Sequence, residues 1–84
     1  MRNYSFGNYV TLMREKLGYS QYQLGALVGV SDKAVSKWEN GAAKPNLEHC
    51  VKLAAIFDIS TDELLTRMMS HSNGGGKNVV QESN

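Results

Sequence analysis

An all-α fold of five short helices with a flexible C-terminal tail is what this 84-residue sequence predicts. Three observations point there. Three helix starts use one device, a serine cap flanked by an apolar pair: Tyr19 with Leu24, Val30 with Val35 and Ile59 with Leu64 stand at the N′ and N4 positions of hydrophobic staples. Apolar residues recur at helical spacing, and no stretch alternates with the period of a strand. From Ser70 the chain turns to Ser, Asn and Gly, with only Val79 and Val80 apolar, too little to offset the entropy of ordering it.

The elements follow in order. Helix 1 is expected over residues 6–17, with Phe6, Val10, Met13 and Leu17 on one face and Gly18 to end it. Helix 2, over 21–28, starts at the capping box of Ser20 and Gln23, turns Leu24, Leu27 and Val28 inward, and closes at Gly29. Helix 3, over 32–40, is capped by Ser31, faces inward through Ala34, Val35 and Trp38, and is closed by Gly41. The loop to Asn46 holds the single proline, Pro45. Asn46 caps helix 4, over 47–57, whose inner face is read as Leu47, Cys50, Val51, Ala54 and Phe57. A second capping box, Ser60 with Glu63, opens helix 5, over 61–69, and residues 70–84 form the polar tail.

Composition narrows the classes of function. Apolar residues at 42% suit one small globular domain. No run approaches a membrane span, no signal-peptide pattern opens the chain, and one cysteine excludes an internal disulfide, so a cytoplasmic protein is expected. The net charge of +1 hides an asymmetry: residues 1–44 carry six basic and three acidic side chains, residues 45–84 three basic and five acidic. One end of the domain is thus directed at a polyanion. Cys50, His49 and His71 lack the spacing of a metal site, and Gly74–Gly76 follow no strand and precede no helix, so they fail the context of a phosphate-binding loop. No nucleophile–base pair or carboxylate pair can be assembled, and neither catalysis nor a cofactor is expected.

Helices 2 and 3 are too short to be stable alone, and their joint use is to hold one helix out from a domain. Lys33 and Lys37 lie at i,i+4 on the outer face of helix 3, the arrangement of a helix that enters the major groove. The segment resembles the lambda-repressor/Cro-like, or XRE-like, helix-turn-helix family through Ser20, Gln21, Leu24, Gly29, Val30, Ser31, Val35, Ser36, Trp38, Glu39 and Gly41. The likeness runs from about Phe6 to Leu65 and includes Pro45 and the closing run from Phe57 to Leu64. One position departs from the pattern: Gly25 stands where an alanine is usual, at a helix-propensity cost of about 1 kcal/mol.

Groove geometry and this resemblance together nominate Asp32, Lys33, Ser36 and Lys37 for base contacts. The lysines can donate to guanine O6 and N7, Asp32 can accept from cytosine N4, and Ser36 can bond a base or a phosphate. Asp32 is also accounted for by the helix dipole, and the lysines by ordinary solvation. Gln21, at the first turn of helix 2, sits where free N–H groups and the dipole favour an anion, and the resemblance makes it a phosphate clamp. Tyr22, Ser31, Asn40 and Lys44 complete the expected phosphate contacts. The resemblance further implies a structural ion pair between Arg14 and Glu39.

Double-stranded DNA is the expected partner, and the function a sequence-specific transcriptional regulator, a repressor first, in a bacterial or phage cytoplasm and on the nucleoid when bound. One helix reads few base pairs, so a homodimer on a two-fold-related operator is expected, formed on DNA if not before. Leu65, Met68 and Met69 on helix 5 offer a surface for it, unless they complete the core. The alternative is an antitoxin-type interaction protein that binds a partner protein and regulates its own promoter.

Overall fold

The computed structural model describes residues 5–72, which form five helices: α1 Ser5–Lys16, α2 Gln21–Val28, α3 Asp32–Glu39, α4 Leu47–Phe57 and α5 Thr61–Ser72. Among the described residues there is no strand. Helix α5 continues to Ser72, three residues beyond the expected end at Met69, and the rest of the expected tail lies outside the described residues.

Local chemistry sets the boundaries. Ser20 Oγ accepts from Gln23 N at 3.0 Å while Gln23 Oε1 accepts from Ser20 N at 2.8 Å, a complete capping box. Ser31 Oγ accepts from Ala34 N at 3.2 Å, Asn46 Oδ1 from His49 N at 2.9 Å and Ser60 Oγ from Glu63 N at 3.0 Å. Instead of reaching back to the cap, the Glu63 carboxylate accepts from Arg67 Nη2 at 3.2 Å. At the other ends, Gly29 is left-handed with φ 96°, and Asp58 takes the same region with φ 61° after α4.

The core gathers Phe6 and Val10 of α1, Leu24 and Val28 of α2, Val35 and Trp38 of α3, four residues of α4 and Leu64 of α5. The outer members of the three staples, Tyr19, Val30 and Ile59, pack against it. Tyr9 meets Phe57 edge-on with ring centroids 5.9 Å apart, and the Arg67 guanidinium lies 4.2 Å over the Tyr9 ring.

Four positions expected inside stand outside. Leu17 is 43% exposed, since α1 ends one residue earlier and its last turn overhangs the core. Leu27 is 51% exposed, because α2 is rotated so that Gly25 rather than Leu27 flanks Leu24 and Val28 in the interior. Leu47 and Val51 are exposed on α4, where Leu53, not expected, is wholly buried with Cys50, Ala54 and Phe57. Helix α4 is apolar nearly all round, so its sequence does not say which stripe faces in.

Candidate nucleic-acid interface

The candidate interface comprises α2, the turn after it and α3. In that turn Gly29 N and Val30 N both donate to Gly25 O, at 2.7 and 2.8 Å. The chain folds back so closely that a Cβ on Gly25 would lie 2.7 Å from Val30 O. The glycine therefore permits the tight approach of the turn to α2, and the departure from the usual alanine is a fitted feature of this chain. A second close approach sets α3 against α1: a Cβ on Gly7 would lie 2.8 Å from Trp38 O and closer still to Glu39 O.

Helix α3 is thereby fixed with Val35 and Trp38 buried and its opposite face in solvent. Asp32, Lys33 and Lys37 are exposed on that face, and Ser36 is half-buried beside them. The tryptophan ring faces His49 of α4, centroids 5.8 Å apart and tilted by 45°.

A polar junction locks the far end of α3. Arg14 Nε donates to Glu39 Oε2 at 2.6 Å, Arg14 Nη2 to Glu39 Oε1 at 3.3 Å, and Gln21 Nε2 to Glu39 Oε1 at 3.0 Å. Arg14 Nη1 also donates to Tyr19 O at 2.9 Å, so one guanidinium holds both the end of α3 and the turn into α2. The side chains of Arg14 and Glu39 are only 13% and 9% exposed. Burial pushes the Glu39 carboxyl up, but donation from Arg14, then Gln21, outweighs it and leaves the pKa below the usual carboxylate range. Donation to Glu39 likewise raises the Arg14 pKa against the opposing effect of burial.

The remaining nominated residues line the neighbouring surface. Gln21 is half-buried at the first turn of α2, and Tyr22 beside it is 71% exposed. Ser31 is exposed and caps α3. Asn40 Oδ1 accepts from Ala42 N at 2.9 Å, shaping the loop that carries exposed Lys44. Two contributors to this frame carry no signal in the sequence. The Tyr19 carbonyl has no side-chain signal, and Lys52, whose Nζ donates to Val28 O at 3.5 Å at the end of α2, sits 24 residues away in sequence. Among the described residues no group of three or more His, Cys, Asp or Glu is placed to hold a metal ion, and no helix is long and apolar enough to cross a membrane.

Residues 12–64 match the helix-turn-helix family HTH_3. The chain belongs to that family. It is 36% identical over 73 residues to the repressor protein C2 of Salmonella phage P22, covering 87% of this chain and 34% of the relative. It is 37% identical over 60 residues to the SPbeta prophage-derived HTH-type transcriptional regulator YonR of Bacillus subtilis, covering 71% of this chain and 56% of the relative. The chain thus spans about a third and about half of these two relatives. Among solved structures, the P22 c2 repressor bound to synthetic operator 9T superposes with a TM-score of 0.66 at 37% identity, over 70% of this chain and 89% of that one. The restriction-modification controller protein C.AhdI of Aeromonas hydrophila gives a TM-score of 0.64 at 33% identity, over 71% and 91%.

Proposed function

We propose that this helix-turn-helix protein is a sequence-specific double-stranded DNA-binding transcriptional repressor that inserts α3 into the major groove. The observation that carries the reading is the outer face of α3: Asp32, Lys33 and Lys37 point into solvent while Val35 and Trp38 hold the helix down. Such a helix presents its first turns to base edges. The likeness to a repressor solved on its operator supports the same reading.

In this reading Lys33 and Lys37 donate to guanine edges, while Asp32 and Ser36 tune the neighbouring positions. The N-terminus of α2 abuts a phosphate through its free N–H groups and the Gln21 amide, which Glu39 orients. Tyr22, Ser31, Asn40 and Lys44 flank the same backbone. Two copies read a two-fold-related operator, since one helix contacts too few base pairs for a useful specificity ratio.

The test is binding of the protein to the DNA upstream of its own gene, followed by anisotropy of a dye-labelled duplex against a scrambled control. Tight binding to the upstream duplex alone, lost in Lys33→Ala/Lys37→Ala with helicity intact by circular dichroism, is the expected outcome. Equal binding of wild type and double mutant to both duplexes would overturn the reading of α3.

A further inference from the structure

Asn40, the first residue past α3, is followed by a glycine that the fold demands. Gly41 takes φ 83°, the left-handed region that favours glycine. Having no Cβ, the same glycine leaves its nitrogen unshielded toward the side-chain amide of the residue before it. Asparagine is among the chemically labile side chains, and this neighbour is the one that hinders it least.

The local structure adds two features. Ala42 N donates to Asn40 Oδ1 at 2.9 Å, and that oxygen is where charge gathers when a nucleophile adds to the amide carbon. A main-chain N–H so placed stabilises the developing charge. To bring Gly41 N to Asn40 Cγ, the Asn40 Cα–C bond must turn away from its ψ of 7°. Gly41 N reaches Trp38 O only at 3.4 Å, against 2.9 and 3.2 Å for the bonds of Ala42 N and Ala43 N to Lys37 O. Residues 40–44 are all exposed, so the turn breaks bonds of the cap and uncovers no core. Openings confined to a helix end cost little.

We propose that Asn40 deamidates spontaneously in the folded protein, and that the new carboxylate loosens this corner from DNA, a chemical clock running in each copy. The loosening rests on the proposed reading of Asn40 as a phosphate contact; the deamidation stands apart from it. As Gly41 N gives up its proton it bonds to Asn40 Cγ, the Cγ–Nδ2 bond breaks, and ammonia leaves a cyclic imide. Water opens the ring in one of two ways. Addition at Cγ frees Gly41 N from it and leaves an aspartate on an unchanged main chain. Addition at the main-chain carbonyl carbon breaks its bond to Gly41 N instead and reroutes the chain through Cβ and Cγ, an isoaspartate. One water enters and one ammonia departs, with no oxidant, cofactor or enzyme.

Both products carry a negative charge that Asn40 lacks. The aspartate still accepts from Ala42 N, so the loop persists with a carboxylate at the negative end of the α3 dipole. The isoaspartate lengthens the main chain by one carbon at the residue that shapes the Lys44 loop. Either way a phosphate beside this corner is repelled.

The full chain is aged at mildly alkaline pH and body temperature beside a free peptide of residues 36–46, and both are mapped by mass and by isoaspartate content. Trypsin, cutting after Lys37 and Lys44, separates Asn40 from the other Asn-Gly pair, Asn73–Gly74, which lies outside the described residues. The expected result is conversion at Asn40 in the folded chain at a rate within about ten-fold of the peptide's, since local opening there costs little. Stronger protection would overturn the site. On the duplex upstream of the protein's own gene, Asn40→Asp should keep its helicity. It should bind about five-fold more weakly at physiological salt, with a salt slope lower by about 0.9 per bound copy, one phosphate neutralised fewer. Aged wild type should move toward that value, while Asn40→Gln aged alongside binds as it does when fresh. Equal affinity of Asn40→Asp and wild type would overturn the clock. If fresh wild type prefers no duplex, the reading as a DNA-binding regulator is what fails, and the mass map still decides the site.

Discussion

Glu39 shows how one residue can serve stability and geometry together. Its carboxylate ends α3, faces Arg14 of α1 and Gln21 of α2, and is nearly buried. Removing one member of such a pair strands the other, at a cost of about 3 kcal/mol or more, while replacing both with apolar residues of similar volume costs less. Urea melts should accordingly rank Glu39→Leu below the double variant Arg14→Met/Glu39→Leu. The sign of the pH effect follows from the depressed pKa of Glu39 in the folded state. The stabilisation is complete above the ordinary glutamate value of about 4.3 and is lost as pH falls through the lower folded-state value. Glu39→Gln removes that contribution, so its stability should fall less than wild type's between about pH 5 and pH 3.

Gly25 is the other residue whose role the structure changes. From sequence alone, alanine there promises about 1 kcal/mol of helix propensity. The Val30 carbonyl, 2.7 Å from where the Cβ would sit, is backbone held by the turn and cannot swing aside. Overpacking of this kind costs about 1–3 kcal/mol. Gly25→Ala should therefore be neutral or destabilising by up to about 2 kcal/mol in chemical denaturation, the difference of those two effects. A clear gain in stability would show that the turn relaxes freely.

At the scale of the element, helix starts were legible because they are written in adjacent residues. Ser20 with Gln23, Ser31 and Asn46 make in the structure the bonds their spacing predicts. Inner faces were legible only where polar residues fill the rest of the helix. Helix α3 has that contrast, and Val35 and Trp38 are buried as its spacing predicts. Helix α4 does not: Leu47 and Val51, expected inside, stand exposed, and Leu53 is buried in their place. The side of a helix that meets its neighbours depends on how the whole bundle packs, which no local window contains. The cap of α3 yields a prediction at this level. Ser31→Ala should cost about 1 kcal/mol by thermal or chemical melting, while Ser31→Asn should restore most of it.

Along the whole sequence, charge is divided unevenly, with a balance of +3 in residues 1–44 and −2 in residues 45–84, and the exposed Lys33, Lys37 and Lys44 all fall in the first part. Each lysine that neutralises a phosphate adds about 0.9 to the slope of log K against log salt. Lys44→Ala should therefore lower that slope by about 1 per bound copy while weakening all duplexes alike. On the proposed reading, Lys33→Ala should instead cost about 1–3 kcal/mol on the preferred duplex and relax the preference at a single position. The charge division and the five-helix order were visible in the chain itself. The junction of Arg14, Tyr19, Gln21 and Glu39 was visible only in part, since one of its acceptors is a main-chain carbonyl that any residue would provide.

The single tryptophan sits at the centre of this arrangement, 4% exposed on the inner side of α3 and against the ring of His49. Its indole is shielded from whatever the opposite face touches, yet loses all its neighbours when the chain unfolds. Trp38 emission is thus a built-in gauge of folding that a ligand on the outer face of α3 leaves nearly unchanged. Every variant made to weaken recognition carries its own optical control for having stayed folded.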